Sequence, residues 1–189
     1  MIEGAVQVEH NGICFESFFV QINLTDGYPL ESPKVFEVGG RIPRNSEHHI
    51  NPDGSLCLGV PEELWLEMQG HFEIGAFIEH LLTPFLIGVS EKLRTGQWPG
   101  PERPHGAAAI CEFYGAYIGC SSPPQVMELL QLLLQKKELK GHWLCPCGSG
   151  QILRRCHGQL VRTLASKGLP PQIVAKSIKY LELEAAQAS

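Results

Sequence analysis

Two groups of side chains in this sequence have the types and spacing to do chemistry. The first centres on Cys57, in the run Asn51-Pro52-Asp53-Gly54-Ser55-Leu56-Cys57-Leu58-Gly59. A thiolate is a good nucleophile and a good leaving group, so a cysteine on an exposed, glycine-flanked loop can accept an acyl group and pass it to an amine. Such a transfer needs an accessible loop, positioning, and a donor for the oxyanion of the tetrahedral intermediate. The second group is Cys145-Pro146-Cys147-Gly148-Ser149-Gly150 with Cys156-His157-Gly158, a C-x-C-x8-C-H spacing. Four soft or borderline ligands within thirteen residues, with glycines for the tight turns, suit a closed tetrahedral Zn2+ site. A closed site leaves no position for water, so the expected role of Cys145, Cys147, Cys156 and His157 is structural.

The elements that must position these groups can be traced from periodicity. Residues 5–38 are rich in β-branched and aromatic side chains, broken at His10-Asn11-Gly12 and Asp26-Gly27-Tyr28-Pro29, and predict a three-stranded antiparallel meander over 5–10, 13–24 and 33–38. An irregular Gly/Pro/Asn-rich segment from Gly39 to Pro61 holds Cys57. Apolar residues then recur at helical spacing from Ile74 to Val89, predicting a core helix over 73–93 bent or broken at Pro84. A second Pro/Gly-rich loop covers 96–106, followed by a short helix over 107–118. Ser121-Ser122-Pro123-Pro124 announces a helix to about Lys137, with Ser122 as N-cap. The knuckle spans 141–158, and a terminal helix is expected over 169–185. Cys14, Cys111 and Cys120 lie in apolar or small-residue surroundings and are expected to be packing thiols.

Composition bounds the partners. The chain has 189 residues, a formal charge of −5 and 43% apolar side chains, enough for one ordinary core and a small appendage. This acidic average supplies no field to draw the whole protein onto a phosphate backbone, so nucleic acid is not an expected partner. No run reaches the roughly 20 continuous apolar residues of a membrane span, and no basic-then-apolar leader follows Met1. Seven cysteines, an odd number and unevenly spaced, fit metal ligation and reactive thiols in a reducing compartment. A cytoplasmic location is expected.

The meander's exit, Tyr28-Pro29-Leu30-Glu31-Ser32-Pro33-Lys34-Val35, and the cysteine loop Glu47-His48-His49 through Leu56-Cys57-Leu58 together resemble the ubiquitin-conjugating enzymes over about residues 4–90. In that family a Tyr-Pro and Pro-Pro-x-Val pattern leads to a His-Pro-Asn triplet, a Gly and an Ile/Leu-Cys-Leu. Aligned without a gap, Glu47, His48 and His49 stand at the triplet and Cys57 at the thioester cysteine. The triplet itself is not present as written, and the helix preceding the meander in the family has no counterpart, because the first strand is expected almost at residue 1. Bacterial members, often from phage-defence operons, vary at these points. The resemblance implies an α+β fold with the meander packed on helices. It implies a transferase that takes a ubiquitin-like protein from an activating enzyme as a Cys57 thioester and delivers it to an amine on a target protein. His49 would replace the family's oxyanion-supporting Asn, with Asn51 as the weaker polar donor and Asp53 and Ser55 shaping the loop. The family topology returns the Trp98–Gly106 loop toward the cysteine, which makes His105 a candidate to tune the thiol or deprotonate the amine.

The knuckle resembles the SEC-C motif, named for the tail of the bacterial secretion ATPase, at every ligand and at its Cys-Gly-Ser-Gly core. The expected organisation is therefore a conjugating-enzyme-like domain over 1–120, a linking helix over 121–140, and a zinc knuckle with terminal helix over 141–189. The competing function is a non-catalytic, zinc-bearing adaptor that recruits protein partners, which would not require Cys57 on an exposed loop. A redox sensor lacks a resolving cysteine nearby. A papain-type hydrolase would need Cys57 at the head of a helix, and Leu58-Gly59-Val60-Pro61 is not expected to start one.

Overall fold

In a computed structural model, residues 1–10, 13–100, 104–135 and 138–187 are described, with the backbone alone at 10, 13–15 and 187. The chain divides into two compact units, Met1–Glu102 and Arg103–Ser189.

Alternation builds the sheet of the first unit. In β2 (Ile13–Asn23), Phe18, Val20 and Ile22 project to one side and are buried, while Phe19 projects to the other and stays 48% exposed. β2 is the central strand, antiparallel to β1 (Ile2–His10) in the register Ile2↔Ile22 and to β3 (Lys34–Glu37) in the register Ile22↔Val35. The fold is thus mixed α+β, and the strands fall close to the expected spans. The turn at His10-Asn11-Gly12 and the side chain of Cys14 lie outside the described residues.

One long helix, Ile74–Thr95, covers the sheet. Its Phe77, Leu82, Leu86 and Val89 join Val8, Phe18, Ile22 and Val35 in one core. The helix is neither broken nor stopped at Pro84. It runs as α2 (Ile74–Phe77), a π-helical turn (Ile78–Leu82) and α3 (Thr83–Thr95), with Pro84 in the first turn of α3. Proline lacks an N–H and its ring crowds the carbonyl four residues back, and a wider turn just ahead of it absorbs both problems. The 22-residue helix, with a mean hydropathy of 1.2 over its most apolar window, is also long and apolar enough to cross a membrane by length and composition, although it holds no unbroken run of about 20 apolar residues. Glu79 and His80 interrupt its apolar run.

A further helix, α1 (Pro61–Met68), follows the cysteine loop. The expectation that Leu58–Pro61 could not lead into a helix was wrong, because Pro61 occupies the first helical position, where its missing N–H costs nothing.

The second unit is helical: α4 (Gly106–Gly115), α5 (Pro123–Gln135), α6 (Gly158–Ser166) and α7 (Pro171–Gln187). α5 packs along α7, and α4 packs on both. The second compact unit begins at Arg103, and α5 lies within it. α6 was not anticipated. Its Val161 and Leu164 are buried and it packs on the turn that carries the knuckle.

Candidate functional site

The cysteine loop is fixed from its own backbone outward. Asn45 caps a 3-10 turn, Ser46–His48, by accepting the His48 amide at 3.1 Å. His49 closes that turn in the left-handed region, at φ 53° and ψ 45°, a conformation uncommon for any residue but glycine and several-fold enriched in Asn, Asp and His. Ile50 then pairs antiparallel with Leu56, and Cys57 N–H donates to the His49 carbonyl at 2.7 Å. The intervening tip is braced from within. Asp53 accepts the Ser55 hydroxyl at 2.6 Å and the Ser55 amide at 3.0 Å, and Lys34 reaches it at 2.6 Å. The Lys34 and Ser55 hydrogen bonds hold the Asp53 carboxyl well below the usual carboxylate range. Leu56 N–H donates to Val35 at 2.7 Å, which stitches the loop to β3.

Against this frame Cys57 is half-buried. Burial pushes its thiol up, partly opposed by a backbone hydrogen bond from Gly59. Gly59 sits at φ 148°, which a side chain would rarely tolerate. A ring nitrogen of His49 lies within 4.8 Å of the Cys57 sulfur, so these two expected residues are brought together. Asn51 is not aimed at the sulfur. Its side-chain amide donates to the Ser55 hydroxyl at 3.1 Å and, at 3.5 Å, to the Leu56 carbonyl, so it braces the loop tip. His105 belongs to the second unit, where it is exposed and immediately precedes α4.

Trp98 is a member of the site that the sequence did not single out for this role. Its indole N–H donates to the Glu47 carbonyl at 2.9 Å, and its ring meets His49 edge-on at 4.7 Å. It rests on Gly88 of α3, where an added Cβ would lie 2.9 Å from the ring. A tryptophan just past a helix, ten residues after a glycine on that helix, is the only trace of this packing in the sequence.

In the second unit the four expected ligands converge. Cys145, Cys147, Cys156 and His157 place their ligand atoms within 4.8 Å of one another, an arrangement that could hold a metal ion. Leu144 pairs with Ile152 and Cys145 N–H donates to Gln151 at 2.8 Å, bending 145–151 into a tight loop. A 3-10 turn, Leu153–Arg155, then delivers the second ligand pair. Ser149, also unanticipated, sets its hydroxyl 3.1 Å from the Cys147 sulfur and 3.5 Å from that of Cys156. Burial pushes Cys145 up to about 11. At Cys147 desolvation is outweighed by hydrogen bonds from the Ser149 hydroxyl and amide, which bring the thiol down to about 6.

No family model, no curated protein and no solved structure matches the chain.

Proposed function

We propose that the first unit is an acyl carrier of the ubiquitin-conjugating kind, which holds the C-terminal carboxyl of a bacterial ubiquitin-like protein as a thioester on Cys57. The observation that supports this most is a half-buried thiol on a loop braced at both ends, with an imidazole nitrogen within 4.8 Å of the sulfur. In the first step the Cys57 sulfur attacks the thioester carbonyl on an activating enzyme. A new C–S bond forms and the activating enzyme's thiolate leaves. In the second, an amine of a target protein attacks the Cys57 thioester, a C–N bond forms, and the Cys57 thiolate is expelled. Burial favours the neutral thiol, so a base must take its proton before the first attack, and His49, with a ring nitrogen within 4.8 Å of the sulfur, is a group able to do so near neutral pH. A protonated His49 can then support the oxyanion. A place in a phage-defence operon is the setting that the resemblance implies.

The cluster in the second unit is assigned to zinc. Tetrahedral bonding with Zn–S of about 2.3 Å and Zn–N of about 2.05 Å requires ligand separations of about 3.5–3.8 Å. Cys147 and Cys156 are 3.6 Å apart and Cys145 and His157 3.5 Å, within that range, whereas Cys156 and His157 stand 3.2 Å apart, short of it. Zinc bound there would be structural, and the Ser149 hydroxyl, 3.1 Å from the Cys147 sulfur and 3.5 Å from that of Cys156, is placed to donate to the thiolates once they have lost their protons to the metal.

A second reading, favoured by the half-burial of Cys57, is a zinc-bearing adaptor in which that thiol only packs. A charging assay separates the two: the protein with ATP and the activating enzyme and ubiquitin-like protein encoded beside it, run on a non-reducing gel. A higher-mass band lost with reductant, reductant-resistant in Cys57→Ser and absent in Cys57→Ala is expected for the carrier. No band with a demonstrably active activating enzyme leaves the adaptor.

A further inference from the structure

The net charge of −5 averages two opposite halves. Residues 1–102 hold fifteen Asp and Glu against five Lys and Arg, whereas 103–189 hold five against ten. From Leu139 to Leu181 there is no acidic residue, and seven Lys and Arg fall within that stretch. Ordinary surfaces intersperse both signs, so a long acid-free tract around one folded knuckle is a property of its surface and calls for a partner.

The tract folds several of these charges onto one place. Arg154 N–H donates to the Gly141 carbonyl at 3.0 Å. A Cβ at Gly141 would lie 3.1 Å from Arg154 Cβ and 3.3 Å from Arg162 Nη2, so both arginines flank this glycine. Lys140 precedes it, and Arg155 follows Arg154 on the same 3-10 turn. All four are exposed, and among the described residues none is held in an ion pair. At the margin stand the rings of His142 and Trp143, edge to face at 6.3 Å, the histidine exposed and the tryptophan half-buried.

We propose that this face of the second unit binds single-stranded nucleic acid, with the basic groups on the phosphates and the two rings offered to unpaired bases. Three of its four cations are guanidinium groups, whose planar fork matches two phosphate oxygens. An acidic protein surface would meet the same charge, but the two rings beside the cations add the stacking planes that an unpaired strand uses. The inference is independent of the chemistry at Cys57. It also departs from the expectation drawn from the whole-chain charge, because phosphate is attracted by a local field and a Debye length of about 10 Å screens the acidic residues beyond it.

The test is fluorescence anisotropy of a labelled 20-nucleotide RNA of mixed sequence, titrated with the full chain as purified. The strand should bind in 50 mM NaCl. Four phosphate contacts correspond to a salt slope of about −3, or about fifty-fold weaker binding at 200 mM. In Arg154→Gln/Arg155→Gln/Arg162→Gln the slope should fall by about 2, with metal content and circular dichroism unchanged. The corresponding triple lysine variant should keep most of the binding, and Lys92→Gln/Arg94→Gln in the first unit should keep all of it. The proposal is overturned by absence of binding at 50 mM NaCl, by equal binding in the glutamine variant, or by tighter binding to polyglutamate or to phosphatidylserine vesicles than to RNA.

Discussion

Cys57 is caught between two influences at the residue scale. Burial disfavours its thiolate, and a ring nitrogen of His49 lies within 4.8 Å of its sulfur. A raised thiol pKa means less thiolate at any given pH, so alkylation of Cys57 by iodoacetamide should be slower at pH 8 than that of a solvated cysteine. Its pH profile should be displaced upward. If His49 is the base, His49→Ala should slow thioester formation about 10²-fold or more while moving the alkylation profile far less; equal charging rates would remove His49 from the mechanism. Trp98 reaches the same atoms indirectly, through the Glu47 carbonyl and the His49 ring. Trp98→Ala should cost about 1–3 kcal/mol of stability in chemical denaturation and loosen the loop. Trp98→Phe keeps the ring edge but not the indole donor, and should lie between wild type and Ala. Cys57 and the Cys145, Cys147, Cys156 and His157 cluster were legible in the sequence because their side chains have distinctive chemistry at short spacing. It did not reveal Trp98 as a clamp, because an indole fifty-one residues from its hydrogen-bond partner leaves no local pattern.

At the scale of elements, α6 packs on the 3-10 turn Leu153–Arg155 that leads into Cys156 and His157. Gly158 opens α6, and a Cβ there would lie 2.5 Å from the Leu153 carbonyl oxygen, a rigid backbone atom. Gly158→Ala should therefore cost about 1–3 kcal/mol, read as a lower melting temperature and faster loss of metal to a chelator. Unchanged values would mean that the 3-10 turn yields freely. Gly75 offers a contrast in the same kind of element, since nothing lies within 4 Å of its added Cβ, and Gly75→Ala should be neutral or slightly stabilising. The helix Ile74–Thr95 was legible as a helix from its apolar period, but its passage through Pro84 by a π-helical turn was not. Period reports which face is buried, whereas the bonding pattern of one turn depends on how the backbone relieves a single proline ring.

The whole molecule is two compact units of opposite charge. Separate cores predict separable unfolding, with two calorimetric transitions. If the Cys145–His157 cluster holds zinc as proposed, the metal stabilises only the unit that supplies its ligands, so a chelator should lower the transition of the second unit and leave that of the first in place. A single transition that shifts as a whole with chelator would show that the units unfold as one.

Local chemistry and periodicity were enough to read an α+β chain, its meander, its main helix, a loop cysteine and a C-x-C-x8-C-H cluster, because each is written within a few turns of backbone. The tertiary structure alone decided what depends on contacts distant in sequence. It placed His49 against Cys57 under Trp98, turned Asn51 inward to brace its own loop, drew α4 and α5 into the second unit, and gathered Arg154 and Arg162 around Gly141. Those outcomes follow from which surfaces bury together, and burial is a property of the folded chain that spacing along it does not encode.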